Sequence, residues 1–268
     1  MKPLDNDPLA HRLPARLSVA GVALDPIDRD TLFNYVVDAA EAARTGAARR
    51  RTVGYLNVHV ANIAHGDAGV ARYLNQLCDL VYCDGRGVAW GARLQGAPAP
   101  PRMTAADWLP ELLVRCRDEG LRVFVVAGRE GVVDRALGAI APAAGGLGPI
   151  ASHDGYLSNP QRNAACLARL AEFAPDVVLV GMGTPHQERW VLAHRDRIAA
   201  PVVWTLGAAF DYSAGEQARG PAWLRRAGHE WAARLLADPA RLWRRYVLGN
   251  PRFLWRAWRA GRATRPRR

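Results

Sequence analysis

The feature that most constrains this chain is an alternation. Short β-prone runs recur through the first four-fifths of the sequence, each closing on Gly, Asn or Asp and each followed by a stretch with helical apolar spacing. Strands are expected over 17–24, 53–60 (ending near Asn57), 80–83, 121–127, 176–183 and 202–206. Helices are expected over 28–43, 62–77, 88–94, 105–119, 128–140 and 161–173, with one more after the Thr184–Glu188 segment. The Gly-rich stretch before Ile150 reads as a loop and 153–156 as a turn. Strands alternating with helices predict an α/β fold, a mostly parallel sheet covered by helices on both faces. Such sheets place chemistry beyond the carboxyl ends of their strands.

Two strand ends carry polar groups. The run Leu80–Cys83 stops at Asp84, and Gly85 and Gly87 behind it permit a tight turn before the next helix. Asp84 reads equally as a turn former or helix cap and as a functional carboxylate. The run from Asp176 ends in Gly181 and Gly183, whose backbone N–H groups could meet an anion at the following helix. His186, Gln187 and Glu188 fit either hydrogen bonding to a sugar or base, or ordinary first-turn polarity. Pro185 stands where a dinucleotide fingerprint would need its helix to begin, which weakens a hydride-transfer reading.

Beyond Gly215 the strands cease and the charge changes. Residues 215–268 hold 14 arginines against Glu216, Glu230 and Asp238, so the whole formal charge of +11 sits in the last fifth of the chain. Five of the nine tryptophans, Trp223, Trp231, Trp243, Trp255 and Trp258, share that segment. Three helices are expected there, over 221–236, 239–248 and 251–261, with Asp238-Pro239 and Asn250-Pro251 as starts. Arginine interleaved with tryptophan at helical spacing suits an anionic membrane surface. Nucleic acid would attract the same charge, but no recognised nucleic-acid motif accompanies it, and none is expected as a partner.

Several classes lack their motifs. No P-loop lysine motif, nucleophile elbow or zinc-protease helix is present, and no strand-end Asp-x-Asp pair offers a metal site beside a nucleoside diphosphate. If a nucleotide-sugar is the substrate, arginine forks must carry the charge. Cys78, Cys83, Cys116 and Cys166 show no paired spacing and read as buried reduced thiols, so neither a disulfide nor a metal is expected. No apolar run approaches a membrane span, and the N-terminal residues lack a secretory signal. Residence in the cytoplasm, at the inner face of the membrane, is the expectation.

The pieces YLNVHVANIA, DGRGVAWGARLQG, PPRMTAAD, HDGY, VLVGMGTPHQERW and the TLGAAFDY-to-NPRFL stretch occur in an order that resembles the WecG/TagA/CpsF glycosyltransferases. That resemblance implies a Rossmann-like sheet with a C-terminal helical appendage. With the change of charge and pattern after 214, the chain divides into a flexible 1–16, an α/β catalytic domain over 17–214 and a membrane-associating helical appendage over 215–268. The resemblance further implies transfer of a sugar from a UDP-sugar to a lipid-diphosphate-linked saccharide, with inversion, no essential metal and no cofactor. Under it Asp84 is the general base and Arg102 a catalytic arginine acting on phosphate. Asn57, Tyr55, Gly85, Thr104, Gly181, Gly183, Gln187 and Glu188 fall around the substrates, with Arg234, Arg241 and Arg244 set to neutralise the leaving diphosphate. Tyr55 and Ala105 depart from the Thr and Gly common in the family, both near the presumed sugar pocket. The donor is then of the UDP-glucose or UDP-N-acetylmannosamine type, with exopolysaccharide assembly the weakly preferred setting. The competing reading is a membrane- or nucleic-acid-docking module that binds a nucleotide without transferring anything. Copies of the chain forming a homo-oligomer are compatible with both.

Overall fold

The structure, a computed structural model, describes residues 9, 13–46, 49–217, 220, 221, 224 and 230–264. Most of 1–16 and of 221–229, including Trp223, therefore lies outside the described residues.

The chain opens with a correction to the expected first strand. Residues 17–24 fold back as β1 (Leu17–Val19) and β2 (Val22–Leu24), an antiparallel pair with Leu17 opposite Leu24. Ala20 and Gly21 between them have φ of 52° and 84°. Two central residues at positive φ make the turn whose twist matches a hairpin, a choice that apolar periodicity does not report. Asp25 then docks the hairpin beside the main sheet. Its buried carboxylate accepts from the Val81 N–H at 2.7 Å and from Arg16 at 2.8 Å.

Six parallel strands form that sheet: β3 (Arg51–Leu56), β4 (Leu80–Cys83), β5 (Val123–Ala127), β6 (Ile150–His153), β7 (Val177–Gly181) and β8 (Val202–Thr205). Their spatial order is β4-β3-β8-β7-β5-β6. Every residue of β3, β4, β5, β7 and β8 is buried, as strands covered on both faces must be. Between the loop expected before Ile150 and the turn expected from His153 the chain forms the edge strand β6, which its sequence pattern does not mark. Each of its residues is only half-buried, which is why Ile-Ala-Ser-His lacks the apolar run that marks the others.

The helices are α1 (Arg29–Arg44), α2 (Val58–Gly66), α3 (Ala68–Arg72), α4 (Arg86–Leu94), α5 (Ala105–Asp118), α6 (Val132–Ala144), α7 (Pro160–Phe173), α8 (His186–His194) and α9 (Ala209–Ser213). The helix expected over 62–77 starts earlier and breaks at Asp67, whose carboxylate caps α3 by accepting from the Gly69 and Val70 N–H groups. A π-helical turn, Tyr73–Leu77, follows. In the tail come α10 (Glu230–Ala237), α11 (Pro239–Trp243), a second π-helical turn (Arg244–Leu248) and α12 (Gly249–Thr264). Asp238 caps α11 as expected, accepting from the Arg241 N–H. Asn250-Pro251 does not begin a separate helix. The π turn carries the chain through, and Pro251 sits in the first turn of α12, where its missing N–H does no harm.

The last helix packs on the body, in the angle between α2 and α4. Phe253 is 1% exposed, and a Cβ on Gly91 would lie 2.7 Å from its ring. A Cβ on Gly261 would lie 2.7 Å from the Leu94 carbonyl oxygen. Small residues at both points let the backbones approach. Asn62 clasps α12 from the other side, donating to the Gly249 carbonyl at 2.8 Å and accepting from Arg256 at 2.9 Å. Among the described residues no helix is long and apolar enough to cross a membrane.

Phe253→Ala should lower stability in urea unfolding by about 3 kcal/mol. Trp255→Ala, at a side chain 55% exposed, should change it by under about 0.5 kcal/mol. Equally small shifts for both variants would show that this contact does not hold α12.

Candidate functional site

The site begins in strand register. β3 and β4 pair with Leu56 opposite Cys83, so the next residue of each, Asn57 and Asp84, leaves the sheet at the same point. The Asp84 N–H donates to the Leu56 carbonyl at 2.8 Å. Asn57 caps α2, its Oδ1 accepting from the Val60 N–H at 2.9 Å. That bond orients the amide, and its Nδ2 donates to Asp84 Oδ2 at 3.0 Å. The carboxylate is thereby aimed by a side chain that is itself held by a helix end.

Glycines do different work on either side of the turn. Gly85 has φ of 92°, which an L side chain rarely adopts. A Cβ on Gly87 would stand 2.4 Å from Val58, so glycine lets α4 start against α2. The Met103 N–H donates to the Cys83 carbonyl at 2.8 Å and brings the 102–104 loop to the same mouth. There Arg102 pairs with Asp107 at 2.8 Å.

Two cavities meet at Asp84. One, of about 160 Å³, has walls of Val58, Trp90, Trp231 and Leu254, with Arg86 and Arg102 beside them. The other, of about 430 Å³, is more polar and is lined by Tyr55, Gly183, Thr184, Gly207, Tyr212 and Arg241. Asn57, His59, Asp84, Thr104, Arg234 and Arg245 line both. Among the described residues, Asp84 is the one carboxylate the two cavities share. Glu216 and Asp238, which line only the polar cavity, are paired with Arg135 and Arg241.

Three buried carboxylates lie instead at the opposite edge of the sheet. Asp25, Asp79 and Asp176 stand near the amino ends of β4 and β7, each held by an arginine and a backbone N–H. That arrangement is structural. An acid at the carboxyl edge, opening onto two cavities with guanidinium groups around it, can take a proton from a bound hydroxyl while cations meet a phosphate.

Several residues singled out from sequence lie away from the cavity walls. Gln187 and Glu188 are 0% and 1% exposed and sit beneath the floor. Gln187 donates to Glu188 Oε1 at 2.8 Å and to the Tyr55 hydroxyl at 3.3 Å, and accepts from the Gly207 N–H at 3.1 Å. The Thr184 hydroxyl donates to the same Glu188 oxygen at 2.8 Å. The pair therefore fixes Tyr55, Thr184 and Gly207, which do line the polar cavity. Gly181 packs under Gly207, where a Cβ would come within 2.8 Å of its carbonyl oxygen. Arg244 is exposed, with its guanidinium over the Trp243 ring. Arg234 lies over the Tyr212 ring at 4.5 Å.

Among the lining residues that sequence reasoning did not assign to the site, His59 and Arg245 carry ionisable groups. His59 lies in the first turn of α2, two residues after Asn57, within the YLNVHVANIA piece itself. Burial, with the Arg245 charge adding to it, depresses its imidazole to about 4, so it is neutral at pH 7. Arg245 adjoins Arg244, and its placement depends on the helix phase at the π turn.

Comparison with known proteins identifies a family. Residues 17–267 match the model of the glycosyl transferase WecG/TagA/CpsF family. An N-acetylglucosaminyldiphosphoundecaprenol N-acetyl-β-D-mannosaminyltransferase of Bacillus spizizenii is 31% identical over 176 residues, which is 66% of this chain and 66% of that protein. The Staphylococcus aureus protein of the same description is 25% identical over 248 residues, 92% of this chain and 94% of its own length.

Glu188 offers a test of the buried floor. Desolvation raises its carboxyl above the ordinary 4.5, although Gln187 and Thr184 oppose the shift. The folded protein then holds that proton more tightly than the unfolded chain, so the stability this group contributes is present below pH 4.5 and declines as pH rises through the raised value. Glu188→Gln keeps an acceptor for both donors and should gain stability relative to wild type between pH 4.5 and 8. Urea unfolding of the two proteins across that range checks it, and a constant difference would contradict the shift.

Proposed function

The chain belongs to the WecG/TagA/CpsF glycosyltransferase family, and on that premise we propose that it moves a hexosyl group from a UDP-sugar to a lipid-diphosphate-linked saccharide. The observation that carries the reading is the position of Asp84 at the junction of two cavities whose shared wall includes Arg234 and Arg245. The polar cavity suits the donor. The apolar-walled one, with Arg86 and Arg102, suits the diphosphate and first lipid units of an acceptor.

Asp84 takes the proton of the acceptor hydroxyl as that oxygen forms its bond to the anomeric carbon. The bond from that carbon to the diphosphate oxygen breaks, and UDP leaves with the electron pair. One displacement with one carboxylate inverts the anomeric centre. The growing charge on the leaving diphosphate is met by arginine. Asn57 holds the base in line, and Gln187 and Glu188 act at one remove through Tyr55, Thr184 and Gly207. The proposed route uses arginine, not a metal ion, as the counter-charge to the diphosphate.

The relatives' descriptions support N-acetylmannosamine as donor sugar and an N-acetylglucosaminyl-diphospho-lipid as acceptor. UDP-glucose remains the second donor to test, because Tyr55 brings a ring to the wall of the polar cavity. We further propose that residues 215–268 form a membrane-associating appendage on the 17–214 body, at the cytoplasmic face. Trp243, Trp255 and Trp258 are 42%, 55% and 43% exposed among the arginines of α11 and α12, as interfacial residues would be.

Asp84→Asn should cut turnover by about 10³-fold, within the usual range for a general base, while UDP binding and the urea midpoint stay near wild type. The assay pairs purified protein with UDP-N-acetylmannosamine or UDP-glucose and a short-chain N-acetylglucosaminyl-diphospho-lipid. Activity within a few-fold of wild type would remove Asp84 from the role. Full activity in excess chelator is expected, and strict dependence on added manganese or magnesium would refute the metal-free route.

A further inference from the structure

The tail presents two adjacent arginines, Arg244 and Arg245, at the start of the π-helical turn. Neighbouring helical residues point about 100° apart, so the helix phase selects one of them for the site. Arg244 is exposed, lines neither cavity and lies over Trp243 at 5.4 Å. Arg245 is half-buried and lines both cavities. Its Nε is buried with no hydrogen-bond partner among the described residues. Such a group is costly to leave unpaired, and here it borders cavities large enough to admit an acceptor.

Three further observations converge on this point. Tyr246, buried directly after it, flanks the guanidinium at 5.4 Å and lines both cavities too. The π turn Arg244–Leu248 interrupts the α-helical phase where the choice is made, and such turns gather at functional positions. Asn62 and Phe253 hold the helix that follows, α12, against α2 and α4, which fixes the turn's position over Asp84.

We propose that Arg245, turned inward by the π-helical turn, is a phosphate-binding residue of the Asp84 site and supplies the cationic contact to a diphosphate that the family resemblance gives to Arg244 beside Arg234 and Arg241. The inference rests on the UDP-sugar reading above and names which residue of the arginine pair serves it. A guanidinium at this junction meets phosphate oxygens through its planar fork, which lysine reproduces only as a point charge. His59, also facing both cavities beside Asp84, Arg234 and Arg245, is the reporter of that charge.

Calorimetric titration of UDP into the full chain tests the assignment. Arg245→Ala should weaken UDP binding by at least about 10-fold and Arg245→Lys by less, while Arg244→Ala should stay within about twofold of wild type. An NMR titration of the His59 imidazole gives an independent readout that also shows whether each variant is folded. Its midpoint should move up from about 4 in Arg245→Gln, and up in wild type when UDP occupies the site. Wild-type UDP affinity in Arg245→Ala, or a loss in Arg244→Ala as large as that in Arg245→Ala, would overturn the assignment and leave the donor reading standing. No UDP binding by the wild-type chain would overturn the donor reading and the assignment with it.

Discussion

The site depends on one pairing register. With Leu56 opposite Cys83 in adjacent parallel strands, Asn57 and Asp84, 27 residues apart in sequence, leave the sheet side by side. A slip of β4 by one residue would turn Asp84 to the other face of the sheet while Asn57 stayed in place, and so separate them. The register is secured at the other end by Asp79, which ties the start of β4 to β3 by accepting from the Thr52 N–H at 2.8 Å. Asn57 then serves two elements with one amide. Its oxygen starts α2 and its nitrogen aims the acid, so loss of the cap would also loosen the carboxylate.

Around this pair the molecule separates structural charge from functional charge by position. Carboxylates at the amino edge of the sheet are buried against arginines and backbone N–H groups, which tie strand ends and the hairpin together. At the carboxyl edge the acid meets open cavities, and the arginines near it come mainly from the tail. The tail therefore contributes Arg234 and Arg245 to the walls of both cavities. Its last helix inserts Phe253 into the core and is clasped by Asn62, which brings the charge-rich segment over Asp84.

Much of this was legible in the chain. Buried strands announce themselves as β-branched runs, and polar residues just beyond them mark the carboxyl edge of a parallel sheet. The charge step after Gly215 singled out the tail as a separate source of cations. What stayed hidden is non-local. Edge strand β6 escaped because half-burial erases the apolar run, and the Ala20-Gly21 hairpin because a single apolar stretch looks the same straight or folded. Gln187 and Glu188 read either as partners of a sugar or base or as ordinary first-turn polar residues, yet packing against Tyr55 and Gly207 buries them beneath the cavity floor. His59 was in view within the motif that held Asn57, with nothing in its spacing to separate a wall residue from a solvated one.

The sequence by itself determined the class of sheet, which strand ends carry polar groups, with Asp84 among them, and the concentration of arginine in the tail. These follow from composition and periodicity, which each residue carries locally. The tertiary structure decided which of those groups meet. Register set Asn57 against Asp84, desolvation turned Gln187 and Glu188 into supports and held His59 neutral, and a π-helical turn put Arg245 on the cavity wall in place of its neighbour. Register, burial and helix phase are properties of elements packed together, so no single stretch of chain contains them.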